Sequence, residues 1–394
     1  MKQVKIGIAG SKFIASLHML SYQKLNQSKF KILGVASGKA ENAKAFAEKH
    51  GLEKAYKSFE EMLKDPEIDA VDLCTPNDLH CEMIIAAAEA GKHIICEKPL
   101  TGAFGRGAKI DKAGLLPKKD LLKEALENTK KCVDAVKKAG VIFGYAENYV
   151  YAPPLVKMKR LLSKSGGTIF DIRADESHSG SHAEYAKNWK QAGGGSLIRL
   201  GAHPIGAALH IKQWEGMAKF GKAIRPKSVM AEVGNNTKMD SFIKEKEKFI
   251  KHGWVDVEDW SCAIITFEDG GKATVFSSDC TLGGVRNNLQ IYSSNAVIYV
   301  NINPNNTLEI YAPREGIFKD EYIQEKLETN GGWNFPSPDE EWIRGYDGEL
   351  TDFIDCFREK REPVSGIMLA EDTMRVIYSA YVAAEEGRRV ALNA

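Results

Sequence analysis

The residues with the clearest chemical meaning lie in the run 93–100, which reads His-Ile-Ile-Cys-Glu-Lys-Pro-Leu. A short apolar stretch there ends in a Glu-Lys-Pro turn. A lysine at the end of an apolar strand is costly unless its charge is paired or used, and the proline holds the residue before it extended. Lys98 is therefore a candidate for binding a reacting oxygen and stabilising negative charge on it, with a structural salt bridge as the alternative.

The elements that must position Lys98 follow a regular alternation. Apolar strand patterns are predicted at 4–9, 30–36, 70–74, 93–96 and 141–144, with helical patterns between them. Strands that alternate with helices predict an α/β fold, a doubly wound parallel sheet covered on both faces. The segment 101–119 interrupts this pattern with four glycines and several basic residues. It is predicted to be a solvated surface loop, with a substrate lid as the alternative.

The pattern changes at about residue 149. Strand patterns follow at 168–175, 228–233, 261–268, 271–279, 288–293, 296–302 and 307–311, and helices return at 346–360 and 369–386. This half predicts an α+β domain with a large, open, mostly antiparallel sheet. We expect one domain at 1–147 and a second at 148–394, whose last helix packs back on the first.

The first predicted strand leads into a turn of the kind that binds the pyrophosphate of a dinucleotide. That motif has small residues at its first, third and sixth positions. Gly10 fits the first position and Ala15 the sixth, whereas Lys12 departs from the third because its Cβ crowds the diphosphate. Its ammonium can instead contact a phosphate. The expected cofactor ligands in this turn are Gly10, Ser11, Lys12, Phe13 and Ile14.

The end of the second predicted strand bears on which cofactor binds. An acid there would bind the ribose 2′-hydroxyl of NAD, and a basic residue would favour the 2′-phosphate of NADP. Ser37 stands in place of the acid and Lys39 follows it. The cofactor is thus predicted to be NAD or NADP, with a weak tilt to NADP, unless Lys39 is simply a solvated lysine at a helix start.

A second loop of the crevice is expected after the third predicted strand, since loops at the carboxyl ends of parallel strands line the ligand crevice. It contains Thr75, Pro76, Asn77 and His80. Asn77 is a candidate for capping the next helix, for bordering the cofactor, or for both.

These motifs together resemble the Gfo/Idh/MocA oxidoreductases. The matching pieces are the turn 10–15, the loop 75–80, the Glu97-Lys98-Pro99 turn, the glycines 193–195 with His203, and the tail 349–390. The resemblance implies a Rossmann domain, a substrate and oligomerisation domain, and a homodimer or homotetramer. It also implies a nicotinamide-dependent reaction on a sugar, cyclitol or glycoside, with Glu97, Lys98 and His80 beside the cofactor.

The resemblance makes His203 the general acid or base, because imidazole titrates near neutrality. The family usually has an Asp four residues before this His, one turn away on the same face of the apolar helix that is predicted after the glycines 193–195, through residue 211. Arg199 stands at that position here, and the acid that often follows His203 is replaced by Gly206. Arg199 is a candidate for binding a substrate carboxylate or oxyanion. The alternative is a structural ion pair. For His203 the alternative is a histidine satisfied inside a helix.

Further substrate-binding candidates are less specific. His178 and His182 are four residues apart, but the Ser-Gly-Ser between them favours a loop over a metal site; we predict substrate hydroxyl binding and no metal. Tyr145, Glu147, Asn148 and Tyr149 lie at the predicted domain junction, where ligands commonly bind, and Trp189 is placed near the same pocket. Packing is the alternative for each of them.

Composition excludes several classes of function. The 394 residues are 43% hydrophobic and 27% charged, as in soluble globular proteins, and the net charge of +1 gives no reason to expect nucleic acid or an anionic membrane as a partner. The seven cysteines contain no CxxC pair and fit reduced thiols. The N-terminus lacks the features of a signal peptide, so we expect a cytoplasmic protein with a small-molecule substrate.

Three functional hypotheses remain open at this point. The leading one is an NAD(P)-dependent oxidoreductase that moves a hydride between nicotinamide and a hydroxyl carbon. The second is a glycosidase or lyase that oxidises its substrate transiently and keeps its cofactor bound. The third is a dinucleotide-binding sensor without turnover, which Lys12 and Arg199 at normally restricted positions would fit.

Overall fold

The computed structural model describes residues 3–303 and 308–392. Its first half is a six-stranded parallel sheet with strand order β3-β2-β1-β4-β5-β6. The strands are β1 (Val4–Ala9), β2 (Phe30–Ala36), β3 (Lys54–Tyr56), β4 (Ala70–Leu73), β5 (His93–Glu97) and β6 (Phe143–Ala146). The helices are α1 (Phe13–Lys24), α2 (Ala40–His50), α3 (Phe59–Lys64), α4 (Asn77–Glu89) and α5 (Lys118–Ala139). The strand order reverses between β1 and β4, which is where such sheets bind ligands.

The second half contains a seven-stranded mixed sheet with strand order β12-β11-β7-β10-β9-β8-β15. Its strands are β7 (Ile169–Ser177), β8 (Pro226–Gly234), β9 (Trp260–Phe267), β10 (Lys272–Ser278), β11 (Arg286–Ser293), β12 (Val297–Asn303) and β15 (Val390–Ala391), while β13 (Ile310–Ala312) and β14 (Gly332–Asn334) pair separately. All neighbours in the large sheet are antiparallel except β7 and β10. The predicted open, mostly antiparallel sheet is confirmed.

The helices of this half are α6 (Pro153–Ser165), α7 (Trp189–Ala192), α8 (Ser196–Arg199), α9 (Ala202–Phe220), α10 (Asp240–Ile243), α11 (Glu340–Arg344), α12 (Tyr346–Glu359) and α13 (Ile367–Glu386). Short 3-10 turns lie at Ala113–Leu115, Asn148–Tyr151, Glu184–Lys187 and Asn236–Lys238. The last long helix, α13, contacts α5 of the first half as well as α9 and β8 of the second. It therefore joins the two halves through one continuous apolar core.

Three details differ from the sequence prediction. Strand β3 was not predicted, because three residues are too short for a period-two pattern to register. Strand β6 begins and ends two residues later than expected. The apolar helix expected after the glycines 193–195 is divided into α8 and α9 at Gly201, where a Cβ would overlap the carbonyl oxygen of Leu197.

The segment 101–119 is also not the uniformly solvated loop predicted. Its first five residues, 101–105, are buried. The N–H of Ala103 donates to the Tyr378 hydroxyl at 2.7 Å, and its carbonyl accepts from the Trp189 indole at 2.9 Å. The basic part from 106 to 112 is largely exposed, and exposed and partly buried residues alternate from 114 to 119. The buried start of this segment is packed between the two halves, close to the end of β5.

Candidate functional site

The first turn of the crevice depends on Gly10. This residue has φ of +118°, and a Cβ on it would overlap the carbonyl oxygen of Cys74 at the end of β4. Its N–H donates to the carbonyl of Ala36 at 2.8 Å, which ties the turn to β2. The glycine therefore lets β1, β2 and β4 approach one another at the edge where a dinucleotide enters.

The N-terminus of α1 is open to a ligand. Lys12 is its N-cap residue and makes no side-chain cap, and both Lys12 and Phe13 are exposed. Ile14 is partly buried beside them. Helix N-terminal N–H groups bind phosphate well, so this turn suits a pyrophosphate and Lys12 adds positive charge.

The polar residues at the end of β2 face the same turn. The hydroxyls of Ser11 and Ser37 are 2.8 Å apart. Lys39 is exposed at the N-cap of α2. Ser37 therefore contacts the turn at Gly10 through Ser11, and the exposed side chain of Lys39 is accessible to a ribose phosphate.

His80 fastens the second loop to the Glu-Lys-Pro turn. Its Nδ1 lies 2.8 Å from the carbonyl oxygen of Pro99 and its Nε2 lies 2.9 Å from that of Thr75. The side chain is fully buried, and burial lowers its pKa. Asn77 spans the crevice, because its amide donates to the carbonyl of Ala192 at 2.9 Å. Both residues hold loops together, whereas Pro76 starts α4.

A buried ionic cluster supports the turn from below. The imidazole of His18 lies 2.8 Å from Asp72 and 3.0 Å from Glu97. Burial lowers the pKa of His18, but the adjacent Asp72 outweighs it, so the pKa is raised well above its usual value. Glu97 also accepts from the N–H of Lys98 at 3.1 Å. A charged His18 between two carboxylates therefore fixes the direction in which the turn leaves β5.

Lys98 crosses from the first half to the second. Its Nζ donates to the carbonyl oxygen of Arg199 at 2.9 Å. The side chain is only partly buried, and its charge acts on the carboxyls of Glu147 and Glu176. The sequence prediction that Lys98 reaches a polar site is consistent with this placement.

His203 meets an acid that follows β6. Its Nδ1 is 2.7 Å from Oε1 of Glu147, and its ring stacks on Tyr149 with centroids 4.6 Å apart and planes 10° apart. Burial, together with the positive charges of Lys98 and Arg344, holds the pKa of His203 well below its usual range. Burial raises the pKa of Glu147 well above its usual range, against the effect of Lys98. The two side chains form a dyad.

A second acid closes the site behind Tyr149. The Tyr149 hydroxyl donates to Glu176 on β7 at 3.1 Å. Burial raises the pKa of Glu176 to about 7, although Lys98 and Arg344 oppose the shift. Glu176 can therefore exchange a proton near neutrality.

Arg199 is engaged in an ion pair. Both terminal nitrogens of its guanidinium bond the carboxylate of Asp279, which follows β10, and its plane lies over the Trp254 ring at 4.9 Å. Arg199 is 8% exposed and Asp279 is fully buried. The arrangement matches the structural alternative, with the Arg199 main chain rather than its side chain in contact with Lys98.

The two histidines 178 and 182 do not converge. His178 is buried, and its Nδ1 accepts from the N–H of Gly180 at 2.9 Å, whereas His182 is exposed. Burial lowers the pKa of His178, and the charges of Lys326, Arg199 and Lys98 lower it further. His178 therefore borders the same charged region as Lys98, and His182 lies at its outer edge.

Three other candidates are held by the protein itself. Tyr145 is fully buried, and its hydroxyl has no hydrogen-bond partner among residues 3–303 and 308–392. The Asn148 amide donates to the carbonyl of Arg344 at 2.8 Å. Trp189 is buried with its indole bonded to Ala103. The structure thus gives each a packing or bracing contact, and substrate contact by these three stays a prediction.

Three further charged residues of this region carry no signal in the sequence. They are Glu176, Asp279 and Arg344. Glu176 lies near the end of β7, Asp279 follows β10 and Arg344 ends α11, so only the fold brings them to Lys98. Glu147 belongs to the junction stretch 145–149, which the sequence does mark as a candidate for the substrate pocket.

Two family comparisons cover most of the chain. Residues 4–113 match the oxidoreductase family with an NAD-binding Rossmann fold, and residues 156–299 match the GFO/IDH/MocA C-terminal domain. The chain belongs to the Gfo/Idh/MocA oxidoreductase family. The resemblance drawn from the motifs is thereby confirmed, and so is the Rossmann fold of the first half.

Individual relatives of this Gfo/Idh/MocA protein agree with that assignment. Levoglucosan dehydrogenase of Pseudarthrobacter phenanthrenivorans is 30% identical over 226 residues, which cover 54% of this chain and 52% of that enzyme. Myo-inositol 2-dehydrogenase of Thermotoga maritima is 22% identical over 99% of both chains. The crystal structure of GenD2 from gentamicin A biosynthesis in complex with NAD superposes with a TM-score of 0.80 at 19% identity, over 100% of this chain and 97% of that one. The match to the first of these spans about half of its length.

Proposed function

We propose that the protein is an NAD(P)-dependent oxidoreductase that oxidises a CH–OH group of a sugar, cyclitol or glycoside, or reduces the corresponding carbonyl. The observation that carries the proposal is the meeting of Lys98, from the end of β5, with the His203–Glu147 dyad of the second half. An ammonium and an imidazole with a buried carboxylate supply charge stabilisation and proton transfer at one oxygen. We keep 1–147 and 148–394 as the two domains.

The turn at Gly10 fits a dinucleotide. The N-terminus of α1 is uncapped, and Lys12 and the Ser11–Ser37 pair border it. Residues Gly10, Ser11, Lys12, Phe13 and Ile14 would hold the pyrophosphate, with Thr75, Pro76, Asn77 and Glu97 along the crevice. When bound, the nicotinamide supplies the hydride acceptor or donor.

Each site residue then has a separate role in the reaction. Lys98 binds the reacting oxygen and stabilises the negative charge that develops on it. His203 accepts the hydroxyl proton in oxidation and returns it in reduction. His178 borders the pocket and is assigned to a substrate hydroxyl, with His182 at the rim. Arg199 holds α8 in place through Asp279.

Turnover with a panel of sugars, cyclitols and glycosides tests this function. We expect nicotinamide reduction with at least one of them, and we expect Lys98→Ala to lower kcat by orders of magnitude while cofactor still binds. Lys109→Ala, which removes an exposed lysine of the same polypeptide segment, is the matched control. Unchanged turnover in Lys98→Ala would remove this assignment, and cofactor binding without turnover on any substrate would favour the sensor hypothesis.

The choice between NAD and NADP is a separate proposal. The end of β2 has no acid, and Lys39 is exposed beside Ser37, which favours NADP. The relative GenD2 was crystallised with NAD. Titration of both cofactors into the protein decides this choice: Lys39→Ala should weaken NADP binding alone, and a much tighter affinity for NAD in the unaltered protein would overturn the preference.

A second candidate function is favoured by Glu176. A carboxyl whose pKa is about 7 gives the site a base besides His203, as cleavage through transient oxidation requires. In that reaction the CH–OH group would give its hydride to a bound nicotinamide while His203 takes the hydroxyl proton. The keto group so formed would acidify the adjacent C–H, and Glu176 would remove that proton and pass it to the departing oxygen. In a glycosidase water would then add to the double bond, and return of the hydride and proton would restore the hydroxyl. Mass balance separates the two functions, because a dehydrogenase forms one reduced cofactor per substrate and the redox-cycling enzyme forms none.

We also propose a homodimer formed through the open face of the large sheet, with a homotetramer as its further assembly. This face exposes Phe170, Ile264, Phe276 and Tyr299, with Tyr299 71% exposed. Four large apolar side chains exposed on one sheet face favour an interface there. Sedimentation should give a dimer, and Phe276→Asp should dissociate it. A monomer in the unaltered protein would refute the proposal.

Within residues 3–303 and 308–392 no helix is long and apolar enough to cross a bilayer. A cytoplasmic location stays a prediction.

A further inference from the structure

The acid missing from the motif around His203 has a counterpart elsewhere in the chain. Gly206 lies inside α9, where a glycine costs about 1 kcal/mol relative to alanine. A Cβ on Gly206 would lie 3.0 Å from Cγ and 3.1 Å from Oε2 of Glu147. The carboxylate of Glu147 therefore occupies the space beside His203 that a side chain at 206 would fill.

We propose that Glu147 is the positioning residue and proton partner of His203, taking the place of the helix-borne acid absent at positions 199 and 206. The inference rests on the proposed function and deepens it. Its geometric support is the 2.7 Å contact between Glu147 Oε1 and His203 Nδ1, the absence of a Cβ at Gly206, and the stacking of Tyr149 on the imidazole. Arg199 is committed to Asp279, so its side chain has no such role.

The dyad has two states that differ by one proton, and His203 is neutral in both. With that proton on the carboxyl, Glu147 donates to Nδ1 and Nε2 carries the other ring hydrogen, which suits donation to a substrate oxygen. With the carboxylate ionised, Nδ1 donates to Glu147 and Nε2 is free to accept. In oxidation the hydroxyl proton passes to Nε2 and the Nδ1 proton to Glu147, while the hydride leaves the carbon for the cofactor, so charge and atoms balance.

No partner within residues 3–303 and 308–392 hydrogen-bonds Oε2 of Glu147, although this oxygen is buried. Glu176 does not compete for His203, since its own bond goes to the Tyr149 hydroxyl. The charged and titratable groups that act on the dyad come from five elements and their ends: Glu97 and Lys98, Tyr145 and Tyr149, Glu176, Arg344, and Glu349. The pH profile of the pair therefore reflects this whole environment.

The first test is the pH dependence of oxidation. Since the acceptor form needs Glu147 ionised, activity should rise with pH through the pKa of the dyad. In Glu147→Gln the remaining limb belongs to an isolated His203, whose pKa is held low, so the limb should move to lower pH. We expect kcat to fall roughly 10²-fold with KM little changed. Glu53→Gln, which removes an exposed surface carboxylate, is the control. If the limb of the pH profile does not move in Glu147→Gln, Glu147 has only a structural role.

The second test separates stability from catalysis. Gly206→Ala should change folding stability by less than about 1 kcal/mol, because the helix preference of alanine offsets the crowding. Its Cβ nevertheless shifts the Glu147 carboxyl group by a few tenths of an ångström relative to His203. We expect kcat to fall by roughly one to two orders of magnitude. In the background of Glu147→Ala the same substitution should have no further effect on kcat. Additive losses in this double-mutant cycle would contradict the inference.

A readout without substrate keeps the inference separate from the proposed function. In protein labelled with ¹⁵N-histidine, the His203 signals are identified by their loss in His203→Asn. In the wild type we expect His203 to exchange between its Nδ1–H and Nε2–H tautomers as Glu147 gains or loses its proton. This exchange should be absent in Glu147→Gln. If the wild type turns over no sugar but shows this coupling, the proposed function fails and the dyad stands. If it turns over sugar without the coupling, the reverse holds.

Discussion

The ion pair between Arg199 and Asp279 makes a quantitative prediction about folding. Arg199 is 8% exposed and Asp279 is fully buried, so removal of either charge leaves the other desolvated and unpaired. Breaking a buried pair in this way costs about 3–5 kcal/mol. We therefore expect Asp279→Asn and Arg199→Met each to lower the free energy of unfolding by about that amount. Urea titration followed by circular dichroism measures it.

Replacing both charges should restore most of the loss. Buried ion pairs exchanged for apolar groups of similar size are often neutral in stability, and burial already raises the pKa of Asp279 against the effect of Arg199. The variant with both Arg199→Met and Asp279→Leu should therefore unfold close to the wild-type midpoint. Its coupling energy comes from the double-mutant cycle in which Arg199→Met and Asp279→Leu are the single variants.

The control is the same substitution in an exposed pair. Arg286 bonds Asp175 at 3.1 Å with its side chain 64% exposed, and Arg286→Met should change stability by less than about 1 kcal/mol. The reasoning about Arg199 would be refuted if Arg199→Met left the unfolding midpoint unchanged and instead raised KM strongly, since the guanidinium would then be a substrate ligand.

Other predictions concern the crevice and the buried acids. Gly10→Ala should abolish cofactor binding and destabilise the fold, because its φ of +118° and the Cys74 carbonyl exclude a Cβ; titration and unfolding measure both losses. His80→Ala should cost about 1 kcal/mol for the one hydrogen bond that a neutral imidazole donates here and weaken cofactor binding more than a surface variant does. Burial raises the pKa of Glu349 well above its usual value. The folded state therefore loses stability as the pH rises from the ordinary pKa of a glutamate through the raised pKa of the folded state. Glu349→Gln should therefore be neutral below the ordinary pKa of a glutamate and stabilising at alkaline pH, and equal effects at both would contradict the assignment.

The sequence predicted the first half of the fold closely because each element there carries its own signal. The strands β1 and β2 were predicted at their exact bounds from short apolar runs between turn residues. The capping-box pattern of Ser58 and Glu61 is equally local: the Ser58 hydroxyl caps α3 by accepting from the N–H of Glu61 at 3.2 Å. Local chemistry of this kind is visible in a few adjacent residues, so no knowledge of the tertiary fold was needed.

The site was less accessible because its pairs are far apart in the chain. Arg199 and Asp279 are 80 residues apart, and His203 and Glu147 are 56 residues apart. The expectation that residue 199 shares a helix face with His203 assumed one continuous helix, and the break at Gly201 removes it. Spacing within a motif therefore located the changed positions correctly but not the residue that compensates for them.

The compensation itself has a physical logic that spacing rules do not contain. A general base in a buried site needs a hydrogen-bond acceptor at its second nitrogen to fix its tautomer, but the acceptor can come from any element that reaches it. Here Gly206 leaves space on α9 because it has no Cβ, and the side chain of Glu147, just after β6, lies in that space. The acid missing from the helix is therefore replaced by Glu147, which makes the contact to His203 from a different element. In a chain with alanine at position 206, the side chain of Glu147 should therefore have to shift by a few tenths of an ångström. With a larger residue there, an acid at 147 should not be able to reach His203, so the two positions should be exchangeable only together.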